Sequence, residues 1–190
     1  MMTRVLLIAA LSLGSAVASA QSDAELIAEA TLPLPEQLRG GATVVIDEDG
    51  QRRVLRQGTN PFTCHSDGDE PAGFYVSCTD ERMRHSTAMA EYGRLRQQGL
   101  PEDEILAAVS AGVESGKLTP IPSGAMFFAL SGPDKANSDL LIVIRTPDAT
   151  AESTGLPTEP SEDQAWLMFP GTHQAHIMIG SPPYWWSPNE

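Results

Sequence analysis

The sequence predicts an α+β fold: an antiparallel sheet of about five or six strands, with two consecutive helices packed on one face and one disulfide. Three observations predict it. Apolar, β-branched runs lie toward both ends of the chain, helical signals lie between them, and strand and helix do not alternate as a doubly wound parallel sheet requires.

The first twenty residues read as an address. Residues 1–4 (MMTR) are short and basic, residues 5–17 are apolar, and residues 18–20 (ASA) form a small-residue cleavage site, which predicts a signal peptide cut after Ala20. The apolar core is shorter than the about 20 residues that a permanent membrane helix needs, and no later segment is long and apolar enough. The expectation is an exported protein, periplasmic or secreted, without membrane insertion once the signal is removed. Residues 21–190 then form a single domain, with a long surface loop near 146–163.

Each element has its own signal. Ser22-Asp23-Ala24-Glu25 has the form of a capping box and starts a short helix that stops before Pro33 and Pro35. Residues 42–47 (ATVVID) and 52–57 flank a Glu-Asp-Gly turn, predicting a hairpin with an inner first strand and a more exposed second one. Residues 58–78 carry turn chemistry throughout, at Asn60-Pro61, Asp67-Gly68, Pro71 and Gly73, so they read as a long loop holding at most a short strand at 74–77. Thr79 or Asp80 caps a helix running to about residue 98, with Met83, Met89, Tyr92 and Leu95 as its buried stripe. Pro101 and the acids after it start the next helix, whose core face is Ile105, Leu106, Val109 and Val113. Residues 125–130 (AMFFAL) and 139–145 (DLLIVIR) are apolar strands. Residues 146–163 are rich in Pro, Glu, Thr and Ser and lack periodicity. Residues 165–169 and 175–179 form a last hairpin. Its second strand alternates, with Ala175, Ile177 and Ile179 expected on the buried face and His176 and Met178 turned the other way.

Charge excludes some functions. The chain has 12 Lys and Arg against 25 Asp and Glu, a formal charge of −13. Loss of Arg4 with the signal makes it one unit more negative. Such a surface repels phosphate backbones and anionic lipids, so nucleic acid and membrane surfaces are not expected as partners. The two cysteines, Cys64 and Cys78, form an even pair in an oxidising compartment, which predicts a disulfide; closing a loop of this size stabilises a fold by about 3 kcal/mol in the chain-entropy model.

Chemistry-bearing residues are few. His173, His176 and Met178 make an H-x-x-H-x-M pattern of imidazoles and a thioether, which are copper ligands, and two imidazoles also suit zinc. His65 and His85 complete such a site if their segments fold over the hairpin. The alternative is a hydrogen-bonded His176 beneath the helices, with Met178 filling the core. His65 and Asp67, or His176 in a pocket beside the long loop, are the candidates for acid–base catalysis. The chain lacks a G-x-S-x-G elbow, a Gly-rich phosphate loop, an EF-hand loop and an H-E-x-x-H helix. Asp67, Asp69 and Glu70 read as a weak calcium loop or a solvated turn. Tyr184, Trp185 and Trp186 suit a sugar or a Pro-rich peptide, or cover an apolar patch of their own domain.

Several stretches taken together carry a resemblance: residues 56–64 (RQGTNPFTC), Asp80-Glu81-Arg82-Met83, residues 125–132, and Gly171 through Ala175-His176-Ile177-Met178. The chain resembles a group of small exported bacterial proteins with a G-T-N-x-[WF]-T-C segment and a C-terminal [PA]-H-[IV]-M motif, over about residues 42–180. The resemblance implies export and one compact domain, attaches no activity, and marks Cys64, His176 and Met178 as the matching positions. The leading expectation is therefore a non-enzymatic exported domain. A copper- or zinc-binding protein using His173, His176 and Met178 is the first alternative, and a hydrolase-type enzyme with His176 in a pocket is the second.

Overall fold

The structure is a computed structural model that describes residues 21–48, 50–66, 73–161 and 163–181. The signal segment, the acids Asp67, Asp69 and Glu70, and the tail with Tyr184, Trp185 and Trp186 lie outside the described residues.

Helix α1 (Asp23–Ala30) begins with the expected capping box: the Ser22 side chain accepts from the Glu25 N–H, and the Glu25 carboxylate accepts from the Ser22 N–H at 2.8 Å. A four-residue helix, α2 (Glu36–Arg39), leads into β1 (Thr43–Glu48). Gly50, at φ 73°, turns the chain into β2 (Gln51–Arg56). β1 is largely buried and β2 largely exposed, because β2 is the edge of the sheet.

The segment read as a long loop contains two strands, β3 (Phe62–His65) and β4 (Phe74–Asp80). Its turn residues cluster at the ends and in the middle, which leaves two short runs free to pair. Cys64 and Cys78 fall directly opposite one another in this antiparallel pair and form the disulfide, with an S–S distance of 2.02 Å. The Asn60 turn is anchored to what precedes the sheet: the Thr59 and Asn60 N–H groups donate to the Gly41 carbonyl, and Asn60 Nδ2 donates to the Leu38 carbonyl at 2.7 Å.

The single helix expected from residue 80 to 98 is broken in two, α3 (Glu81–Arg84) and α4 (Thr87–Gln97). Ser86 makes the break, since its hydroxyl accepts from the Met89 N–H and starts a new helix. α4 packs antiparallel on α5 (Glu102–Glu114) through Ala88, Leu95, Ile105 and Val109. Strands β5 (Met126–Gly132) and β6 (Asp139–Arg145) come next. The segment from 146 to 163 holds a short helix, α6 (Ala151–Thr154), capped by Thr150. The last hairpin is β7 (Trp166–Met168) and β8 (His176–Gly180), as the sequence predicts.

Among the described residues there are eight strands, in the order β2-β1-β3-β4-β5-β6-β8-β7. This exceeds the five or six expected, and the sheet is mixed rather than antiparallel, because β1 and β3 run parallel. With β2 already on one edge of β1, the chain must cross over before β3 can use the other edge. The sheet has helices on both faces, not one. α1 and the segment after it cover one face, over Leu34, Val44, Phe62, Cys64, Cys78 and Phe128. The α3–α4 region leans on the other, where Met83 and Met89 meet Ile121, Ala125 and Phe127. Among the described residues no helix is long and apolar enough to cross a membrane.

Candidate binding site beneath the helical hairpin

The second face of the sheet is not fully packed. Between it and α4 lies a cavity of about 550 Å³. Strand alternation and cross-strand register build its floor. Met168, His176 and Arg145 form one row across β7, β8 and β6, and Trp166, Met178, Val143 and Phe127 form the next. Helix α4 supplies the roof with Met89, Tyr92 and Arg96, spaced three and four residues apart on one helix side. Thr158 and Pro160 from the segment after α6 close one wall. Glu102, exposed at the start of α5, accepts from the Tyr92 hydroxyl at 2.8 Å at the rim.

The buried face of β8 is the reverse of that expected. His176 and Met178 point into the protein, 6% and 5% exposed, while Ile179 is 38% exposed. Alternation separates two faces but does not say which one a helix will cover. Here the helical hairpin lies over the histidine side.

Arg145 is the main feature of the cavity. Its buried Nε has no hydrogen-bond partner, and it has no carboxylate partner among the described residues. Among the described residues its Nη2 has only Met89 Sδ at 3.9 Å, a weak acceptor. Its Nη1 lies 3.2 Å from His176 Nδ1, but that nitrogen also lies 2.7 Å from the Gln174 carbonyl oxygen. A carbonyl oxygen only accepts, so the imidazole proton sits on Nδ1 and is donated to Gln174. The guanidinium then faces an N–H rather than a lone pair. Burial lowers the Arg145 pKa to about 10, with the Tyr92 hydroxyl acting the other way, and the group stays cationic at neutral pH. Burial, then the neighbouring Arg145 charge, pushes His176 down to about 3, so its ring is neutral. Burial, then the Glu102 carboxylate, raises the Tyr92 phenol to about 12.

A second donor is unsatisfied beside the first. Gln174 is 2% exposed and lines the cavity, and its Nε2, itself sealed from solvent, has no partner among the described residues. Phe169 completes the wall, with its ring centroid 5.6 Å from that of His176 and 6.4 Å from that of Tyr92. It holds this place with a left-handed backbone, φ 55°, which is strained for an aromatic residue. The turn after it fixes this conformation: Thr172 donates to the Phe169 carbonyl from both its N–H and its hydroxyl.

The histidines do not converge. His65 is on the same sheet face, but four strands from β8, about 19 Å at about 4.8 Å per strand. It lines a separate depression with Asp47, Ser66 and Ser77, where burial and then Arg52 and Arg84 lower its pKa. His85 is exposed at the end of α3. His173 pairs with Asp148, Nδ1 to Oδ1 2.8 Å. Only His176 and Met178 of the predicted ligand set reach the cavity, where Met89 and Met168 join them. Among the described residues no group of three or more His, Cys, Asp or Glu side chains is placed to hold a metal ion. For the catalytic pair His65 and Asp67, the second member lies outside the described residues.

Arg145, Gln174 and Phe169 are the site residues that sequence reasoning missed. A usable signal exists for the first: in DLLIVIR the apolar alternation Leu141, Val143 ends on a cation of the same face. Comparison with known proteins adds nothing further, since no family model, curated protein or solved structure matches the chain.

Proposed function

We propose that the protein is an exported, non-enzymatic binding protein for a small organic anion, held in the cavity beneath α4 with its negative group on Arg145. One observation carries this reading: a half-buried guanidinium, its Nε sealed from solvent, has no oxygen acceptor among the described residues and lines a cavity walled mainly by aromatic rings and thioethers. A buried charge without a partner is destabilising, and a bound anion supplies that partner. The cavity volume falls in the about 300–1,000 Å³ range of small-molecule sites. The neutral, Gln174-anchored His176 has no acidic partner among the described residues to orient it as a base, so it acts as a wall.

Thermal denaturation in the presence of small organic acids and their neutral amides tests the proposal. Acids raise Tm at millimolar concentration, amides do not, and the Arg145→Met variant loses the response. Equal shifts from an acid and its amide would overturn it.

A second reading places copper(I) among Met168, Met178 and His176, which are soft ligands on neighbouring strands. The Arg145 charge beside His176 disfavours any cation there. Competition for copper(I) against a chromogenic chelator separates the two readings. Retention of the metal by the protein selects the second.

A further inference from the structure

Resting on the anion-binding reading, we infer that the ligand is a monocarboxylate carried on an aromatic ring, with its carboxylate on Arg145 and its ring against Phe169 and Tyr92.

The charge count sets the head group. Among the described residues, Arg145 is the one cation at the buried end of the cavity. Arg96 is exposed on α4, and the Glu102 carboxylate at the rim opposes it. One inner positive charge balances one negative charge. A dianionic phosphate or dicarboxylate leaves a charge uncompensated, in a chain whose formal charge of −13 already repels it. The donors point the same way. Both Nη atoms of Arg145, which lines the cavity, lack an oxygen acceptor among the described residues: one faces the His176 Nδ1–H and the other has Met89 Sδ at 3.9 Å. A planar carboxylate has two oxygens that only accept, and it matches the guanidinium fork.

The walls set the body of the ligand. Tyr92, Phe127, Trp166 and Phe169 bring four aromatic side chains to one cavity, and Met89, Met168 and Met178 add thioethers that pack well on ring edges. The strained backbone of Phe169 adds an independent sign. The Thr172 bonds hold that residue in a conformation that suits glycine, and the result is an aromatic face beside His176. A ligand body that needed only apolar volume would gain little from this placement.

Isothermal titration of the purified protein at pH 7 with four probes tests the inference: 3-phenylpropionate, octanoate, 3-phenylpropionamide and inorganic phosphate. The expected result is that 3-phenylpropionate binds at least about tenfold tighter than each of the others. Phe169→Leu weakens 3-phenylpropionate more than it weakens octanoate, and equal losses overturn the aromatic contact. Arg145→Lys, which keeps the charge and loses the fork, binds 3-phenylpropionate more weakly than the parent does and more tightly than Arg145→Met does. Octanoate or phosphate binding as tightly as 3-phenylpropionate overturns the aromatic monocarboxylate and leaves the anion site standing. The amide binding as tightly as the acid overturns the anion site itself, and no heat with any probe overturns both.

Discussion

The two faces of the sheet solve opposite problems with the same strands. Beneath α1 the side chains close up, with Ala30, Val44, Cys64 and Cys78 fully buried, and Phe62 packs edge-on against Phe128 at 5.6 Å. Beneath α4 the rows end in a cation, a neutral imidazole and three thioethers around an open volume. Among the described residues, the buried charge on the first face, Asp80, is paired with Arg82 at 2.6 Å, while the second face holds one that no carboxylate balances. The difference teaches where stability comes from and where it is given up: the disulfide side holds the body together, and the helical-hairpin side is the one we propose receives a ligand.

Perturbing each face sharpens that contrast. The largest effect is expected from Phe128→Ala on the closed face, a loss of about 3–5 kcal/mol read by urea denaturation. Replacing both Cys64 and Cys78 with alanine removes about 3 kcal/mol, and ligand-dependent Tm shifts survive wherever the variant is folded. Arg145→Met goes the other way, raising stability by about 1–2 kcal/mol while binding is lost. A destabilised Arg145→Met would break the comparison, because it would make the guanidinium a structural group.

Acid acts on the open face next. The folded-state pKa of His176 is about 3, below its ordinary value of 6.5, so the unfolded chain binds a proton that the folded chain refuses. Its contribution is complete above about pH 6.5 and falls progressively as pH drops toward 3. His65 shifts in the same direction and adds to the slope. Urea midpoints at pH 7, 5.5 and 4.5 therefore fall more steeply in the parent than in His176→Gln. Parallel slopes would refute the buried, neutral imidazole. The smallest effect is expected at the rim, where Tyr92→Phe removes an exposed hydrogen bond to Glu102 and costs about 0.5–1 kcal/mol.

Much of the fold was readable from the residues. The Ser22 box, the Gly50 hairpin, the β6 run and the final hairpin each rest on local signals that tertiary packing did not override. β3 escaped, and β4 was read only as a short strand at 74–77, because Asn60-Pro61 and the turn residues around Gly73 outweigh two short apolar runs in any local window. They become strands only through pairing with partners far along the chain. The helix break escaped because a serine such as Ser86 suits a cap and tolerates a helix interior, and local residues do not choose between the two. Of the site, His176 and Met178 were visible as a pair on one strand face, but not which face is covered. Arg145 lies 31 residues from His176, and only the register of β6 on β8 brings the two side chains together. Thr158 and Pro160 sit in a segment that reads as featureless, yet it is tied down by backbone bonds from Thr146 to Ala175, Asp148 to Thr172 and Leu167 to Pro157.

The strand at this end of the sheet, β7, is three residues long and among the described residues pairs only with β8, and two of its residues wall the cavity. For the proposed ligand this offers an exit that leaves the disulfide-bonded half of the sheet untouched: peeling this short margin breaks few backbone bonds and exposes Trp166 and Met168. Residence time is then governed by local fraying and not by the global unfolding barrier. Deuterium uptake at the Trp166–Met168 amides should slow on loading while that of β4 stays constant.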